Sequence, residues 1–163
     1  MPELRRNNEK TVIVLLTKNA KQKIKKELRR CQGKETGGIL LGVHFGAVLL
    51  VIDTTSSGEN SRHEKCRFEM DMSFALNEVN SIIKKHVLFN CGIAGIWHNH
   101  NNEYCVFSSD DMQTNQAYAS LNKFGAISVL MTQRNGEDIL NCFHVKKKPV
   151  GGLKLKLKFT KKI

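Results

Sequence analysis

Gly92-Ile93-Ala94-Gly95-Ile96-Trp97-His98-Asn99-His100 decides how this chain is read. Residues 92–97 form a short apolar run that predicts a strand leading straight into His98. At an extended strand end, residues i and i+2 project from one face, so His98 and His100 converge while Asn99 points away. Eleven residues beyond His100, within Ser108-Ser109-Asp110-Asp111, Asp111 supplies a carboxylate from the first turn of the next predicted helix. Two imidazoles and one carboxylate are donors that zinc accepts, and a catalytic zinc keeps three protein ligands and an open position for water. The net positive charge left on such a site lowers the pKa of its water toward about 7.

Hydrolysis also needs a group that takes a proton and hands it to the leaving amine, a task for a carboxylate beside the metal rather than on it. Working outward, Glu35-Thr36-Gly37-Gly38-Ile39-Leu40-Leu41-Gly42 offers Glu35, placed by a tight Gly37-Gly38 approach to a second strand. Ser108 brings a hydroxyl that can donate to an oxyanion forming beside the ion. Each residue also has a plainer use. Glu35 suits a surface turn, Ser108-x-x-Asp111 suits a helix N-cap with an acidic third position, and Trp97 and Phe107 suit packing. The polar positions taken together, in this order and spacing, point to a metal-dependent peptidase or isopeptidase.

The flanking pattern predicts a strand over 12–16, then a basic amphipathic helix over 18–31, capped by Thr17 or Asn19 and with Gly33 near its end. Strands over 38–43 and 47–54 follow, joined at Phe45-Gly46. Residues 55–65, rich in Ser, Gly and Asn, predict an exposed loop, and 67–70 a short strand. A helix over 73–86 turns Phe74, Leu76, Val79, Ile82 and Ile83 to one face. After a loop over 101–107 comes a helix over 108–123, then a hairpin of 126–132 and 138–145 around Asn135-Gly136. This order is that of an α+β domain over 1–145, with helices covering a mixed sheet. The tail, 146–163, has eight lysines and no acid, with Pro149 and Gly151-Gly152 marking its change of composition. In it Leu153, Leu155, Leu157 and Phe159 alternate with Lys154, Lys156 and Lys158, the period of an extra edge strand that pairs with the domain's own sheet, the favoured reading, or adds to the sheet edge of a partner.

At 163 residues, 40% hydrophobic and 25% charged, the chain is one soluble globular domain with a single core. Residues 1–10 are polar and the run 12–16 is too short for a signal h-region, so no secretory leader is expected. The longest apolar stretch, 47–52, is far short of a membrane span. Five scattered cysteines without a C-x-x-C pair suit reduced thiols and a cytoplasmic setting. The net charge of +11 is gathered in Lys18, Lys21, Lys23, Lys25, Lys26, Arg29 and Arg30 and in the tail. It favours acidic partners such as nucleic acid, an anionic membrane or an acidic protein face, and solubility alone accounts for it equally well.

Glu35, His98-x-His100 and Ser108-x-x-Asp111 in this order resemble the signature of the JAB/JAMM (MPN) zinc metalloprotease family. The Glu-x-Gly-Gly-Ile-Leu-Leu-Gly wording resembles its bacterial branch, and the likeness follows the order of elements from about 12 to 145. The resemblance implies a JAB/MPN-like (cytidine-deaminase-like) fold and one zinc per chain on His98, His100 and Asp111. It implies Glu35 as catalytic acid/base and Ser108 as oxyanion stabiliser. The activity implied is hydrolysis after the C-terminal residue of ubiquitin or a ubiquitin-like protein, as deconjugation or precursor maturation. Two positions depart from the family pattern. Asn101 stands where proline usually follows the second histidine, which bears on loop rigidity and substrate fit and removes no ligand. Asn99 stands where Ser or Thr is common. The chain also lacks the large insertions by which eukaryotic members recognise ubiquitin chains, which favours a minimal bacterial enzyme. Small stand-alone members are similar to the deconjugases of anti-phage operons, including type II CBASS and ubiquitin-like conjugation systems. The partners so implied are a ubiquitin-like or conjugated protein as substrate and conjugation-operon components.

Other zinc hydrolases fit worse: there is no H-E-x-x-H, since His63-Glu64 lacks its partner histidine, and no H-x-E with P-C-x-x-C. No cysteine is singled out with a histidine for nucleophilic chemistry. The main alternative is a non-catalytic JAB-fold scaffold or nucleic-acid-binding module using its basic faces, against which Glu35 and Asp111 together count. A third reading is a peptidase acting on a sulfur-carrier precursor or a cell-wall peptide.

Overall fold

Thr17 ends the first strand and starts the first helix: its hydroxyl accepts from the Ala20 amide at 3.2 Å, a side-chain N-cap. The computed structural model describes residues 12–147 and the backbone of 155–162. In chain order the elements are β1 (Ile13–Leu16), α1 (Lys18–Arg30), β2 (Gly37–Phe45), β3 (Val48–Thr54), β4 (Arg62–His63) and β5 (Phe68–Glu69). They continue with α2 (Met72–Lys85), a 3-10 turn (Val87–Phe89), β6 (Gly92–Asn99), α3 (Ser109–Ser120), β7 (Ala126–Arg134), β8 (Glu137–Val145) and β9 (Leu155–Lys162).

Seven strands form one sheet in the order β1-β3-β2-β6-β7-β8-β9, with β4 and β5 a separate hairpin. The pairs β1–β3 and β6–β7 are parallel and the other neighbours antiparallel, so the sheet is mixed and the class is α+β as expected. Consecutive residues of β2 face opposite ways. Leu40 joins Ala20 and Ile24 of α1, with Leu49, Val51, Trp97 and Val129, on one face. Ile39 and Leu41 join Ala75, Val79 and Ile82 of α2 on the other. Each fully buried aliphatic in these layers contributes about 1.5–3 kcal/mol relative to exposure. β6, which carries His98 and Asn99, lies in the middle of the sheet and is packed from both sides.

Several details differ from the sequence-based expectation. The segment expected to be an exposed loop is buried at Thr55, Ser57 and Gly58 and contains β4. Its hydroxyls are spent inside, Ser57 Oγ donating to Glu27 and Thr55 Oγ accepting from the Ile39 amide at 3.0 Å. In α2, capped by Asp71, Ala75 takes the core position, and Phe74 and Leu76 lie on the exposed side. The third helix ends at Ser120, where Asn122 leaves the helical path and donates to the Ile93 carbonyl at 2.8 Å. The Asn135-Gly136 turn is as expected, with φ of 53° and 76°, the left-handed pair that a two-residue hairpin loop requires. The tail strand pairs with β8, Val145 opposite Leu155 and Ile139 opposite Lys162. Leu153, Pro149 and Gly151-Gly152 lie outside the described residues. Among the described residues no helix is long and apolar enough to cross a membrane.

Candidate metal centre

The register of β2 on β6 brings two distant sequence stretches together: Gly37 pairs with His98 and Gly38 with Trp97. Side chains are excluded at both glycines. A Cβ on Gly37 would meet the Trp97 carbonyl and His98 Cβ, and one on Gly38 would meet the Thr55 carbonyl and Trp97 Nε1. The close approach sets Glu35, just upstream of β2, beside the end of β6. Trp97 is a packing residue, fully buried and donating from Nε1 to Thr54 Oγ1 at 2.9 Å.

Asn99, between the two histidines, does more than point away. Its Oδ1 accepts from the Thr36 amide at 2.6 Å and its Nδ2 donates to the Lys34 carbonyl at 3.3 Å, so one side chain grips the backbone on both sides of Glu35. The Glu35 backbone is held on a second side by the β4–β5 hairpin. Its N–H donates to the Glu64 carbonyl at 2.8 Å, and its carbonyl lies 2.9 Å from His63 Nδ1. Asn101 joins the same frame, donating to the Lys65 carbonyl at 2.9 Å and accepting from Asn99 Nδ2 at 3.3 Å. Two hydrogen bonds thus restrain the loop at the position where proline was expected to stiffen it. The sequence singled out neither His63 nor the Asn99 grip. The signal for Asn99 was its place between two converging histidines, since whatever sits there projects into the opposite layer.

His98, buried, and His100 direct their Nε2 atoms toward each other at 3.2 Å. Asp111 Oδ1 lies 3.4 Å from His98 Nε2, and Asp111 Oδ2 lies 3.7 Å from His100 Nε2. His100 Nδ1 faces the Tyr104 carbonyl at 3.2 Å; a carbonyl only accepts, so Nδ1 carries a proton and, in the neutral ring, Nε2 presents a lone pair. Phe107 leans on the His98 ring with centroids 5.9 Å apart and is itself packed against Phe143.

Asp111 completes the N-terminal cap of α3 and also faces the two histidines. Its Oδ2 accepts from Ser108 N–H and Oγ, each at 2.8 Å, while Ser108 Oγ accepts from the Asp111 amide at 3.1 Å, a complete capping box. The box orients the carboxylate so that Oδ1 faces the imidazoles. Burial works to raise the Asp111 pKa, but the His100 and His98 rings that face it, together with the bond from Ser108, outweigh burial and hold the group well below the usual carboxylate range. The Asp111 carboxylate in turn favours protonated His100 and raises its pKa against the effect of burial. Glu35 behaves the opposite way to Asp111: burial pushes it above the ordinary carboxylate value, with His100 and His98 pulling it back.

These donors fit zinc. Bonds of about 2.0–2.1 Å place tetrahedral neighbours about 3.3 Å apart, which is the scale of the 3.2 and 3.4 Å separations measured between facing donor atoms. A second cluster, Glu27, Cys31 and His63, is also close enough to hold an ion, but its donors are already committed. Arg30 forks the Glu27 carboxylate at 2.6 and 3.1 Å, and Ser57 and Thr36 donate to the same group. A dication there would face a guanidinium, so this cluster reads as an ion pair between buried Glu27 and half-exposed Arg30 that anchors α1 to the 55–58 segment.

Neither a protein-family model nor a curated protein matches the chain. Among solved structures it is similar to the solution structure of protein DSY2949 from Desulfitobacterium hafniense. That likeness has a TM-score of 0.64 over 90% of each chain at 16% identity. At that identity the likeness is one of fold. The mixed-sheet α+β architecture therefore has a solved counterpart, and the chemistry rests on the side chains described above.

Proposed function

We propose that this protein is a zinc-dependent isopeptidase or peptidase of JAB/JAMM type. The observation that carries the reading is the convergence of His98, His100 and Asp111 within one ion's reach of each other, with Glu35 clamped alongside. Zinc held by these three residues would supply Lewis acidity, which polarises a scissile carbonyl and acidifies water. Glu35 takes a proton from the attacking water on its carboxylate and returns it to the leaving amine. Its upward-shifted pKa suits a group that must both accept and donate. Ser108 has one hydroxyl proton, which Asp111 Oδ2 receives in this structure. Stabilising an oxyanion requires that proton to swing to the substrate, while the Ser108 N–H keeps Asp111 in place. The substrate class follows from the resemblance of Glu35, His98-x-His100 and Ser108-x-x-Asp111. It is the bond after the C-terminal residue of a ubiquitin-like protein, cut in deconjugation or maturation within bacterial anti-phage defence.

The test is metal analysis of the purified chain alongside cleavage of a ubiquitin-like protein fused through its terminal residue to a reporter. About one zinc per chain with chelator-sensitive cleavage is expected. Glu35→Ala should abolish cleavage and keep the zinc, and His98→Ala should lose both. Cleavage surviving in the Glu35 variant overturns the acid/base assignment, and full zinc in the His98 variant overturns the ligand assignment.

A further inference from the structure

Beside the centre, between the C-terminal half of α1 and the ends of β6 and β7, lies a cavity of about 580 Å3. Lys25 and Arg29, one turn apart on α1, line it together with Lys65 from the β4–β5 turn. Among the described residues no carboxylate pairs with any of these three cations. The single acid of the lining, Asp138, is engaged by Gln133 Nε2 at 3.1 Å. Leu28 and Met131 give the cavity an apolar wall, and His100 stands on its rim, shared with the candidate metal centre.

Like charges gathered around a concave wall repel one another, and a cleft of one sign concentrates its field outward onto a ligand. The volume is that of a pocket for several side chains. The lining contains no Phe, Tyr or Trp, so it offers no stacking platform of the kind that single-stranded nucleic acid uses. An apolar wall under separated cations matches instead a chain that alternates carboxylates with aliphatic side chains. We propose that this cavity binds an acidic peptide segment of a partner protein. Its position next to His100 would hold that partner within a few residues of the centre. That consequence rests on the hydrolase reading, whereas the binding does not.

The test is fluorescence anisotropy of the full chain with a fluorescein-labelled peptide of interleaved glutamate, glycine and leucine. A glutamine version of the peptide and a single-stranded oligonucleotide of equal charge serve as comparisons. Lys25→Glu/Arg29→Glu should weaken glutamate-peptide binding at least about tenfold, because two attractions become repulsions. Lys84→Glu/Lys85→Glu makes the same change of net charge at the exposed end of α2 and should stay within about twofold of wild type. Circular dichroism of each variant checks that the fold is retained. Equal losses in the two double variants would reduce the effect to overall charge and overturn the proposal, as would equal binding of the glutamine peptide. Tighter binding of the oligonucleotide, lost in Lys25→Glu/Arg29→Glu, would make the cavity a nucleic-acid site instead. His98→Ala should bind the peptide as wild type does, so failure of the zinc reading and failure of this one are separable.

Discussion

Truncating Asn99 to alanine tests the grip on Glu35. The amide accepts from the Thr36 N–H at 2.6 Å and donates to the Lys34 carbonyl at 3.3 Å. Thr36 has no exposed surface, so its N–H would be stranded away from water. A buried donor left without a partner costs about 1–3 kcal/mol, and the longer bond to Lys34 adds less. We expect a loss of about 2 kcal/mol, which for a chain of this size lowers Tm by about 4–8 °C. Urea denaturation followed by circular dichroism reads the global value. Hydrogen exchange reads the local one, and protection at the Thr36 amide should fall further than in β7. Zinc content should not change, because neither histidine is touched. In the cleavage assay kcat should fall with little change in KM, since the base is loosened and the substrate surface kept. Ile82→Ala supplies the comparison, removing buried apolar volume from α2 at about 2–5 kcal/mol without contacting this network. Wild-type stability and exchange in the Asn99 variant would refute the grip. An equal drop of kcat in the Ile82 variant at equal loss of stability would refute positioning, leaving only global softening.

Gly38→Ala should destabilise by about 3 kcal/mol or more, since overpacking at this site is against backbone as well as side chain. Its Cβ would sit 2.7 Å from Trp97 Nε1 and closer still to the Thr55 carbonyl. A lowered urea midpoint and altered Trp97 fluorescence are expected, and a wild-type midpoint would contradict the close approach. Glu27 should carry part of the acid sensitivity. Burial raises its pKa, but hydrogen bonds from Arg30 and Ser57 outweigh this and hold it at about 2 against an ordinary 4.5. A folded value below the unfolded one means stability that is complete above about pH 4.5 and lost as pH falls toward about 2, worth at most about 3 kcal/mol. Arg30 is half exposed, so solvent screening reduces that figure. Glu27→Gln should therefore flatten the stability curve below about pH 4.5, read as urea midpoints across that range. An unchanged acid limb would show that the pair contributes nothing.

Much of the fold was legible because its signals are local. The β6 run, the Thr17 cap and the Asn135-Gly136 turn each act within a few residues, and each formed where expected. The misplaced segments failed for the opposite reason. Ser, Gly and Asn in 55–65 look solvated until Glu27, 30 residues upstream, takes Ser57 as its buried donor. Phe74 and Leu76 look like core residues until the sheet meets α2 on the side of Ala75, Val79 and Ile82.

The candidate site divides the same way. By itself the sequence brought the candidate donors together: strand alternation turns His98 and His100 to one face, and the cap motif orients Asp111 from the first turn of its helix. These are short-range consequences of backbone geometry. Only the tertiary structure decided that Glu35 stands beside them. Its place depends on β2 pairing with β6 in one register, on two glycines that allow the approach, and on Asn99 bonding to a backbone 63 residues away. Strand register is set by which side chains both faces of the sheet can bury at once, a condition on the whole packed core that no local stretch of sequence contains.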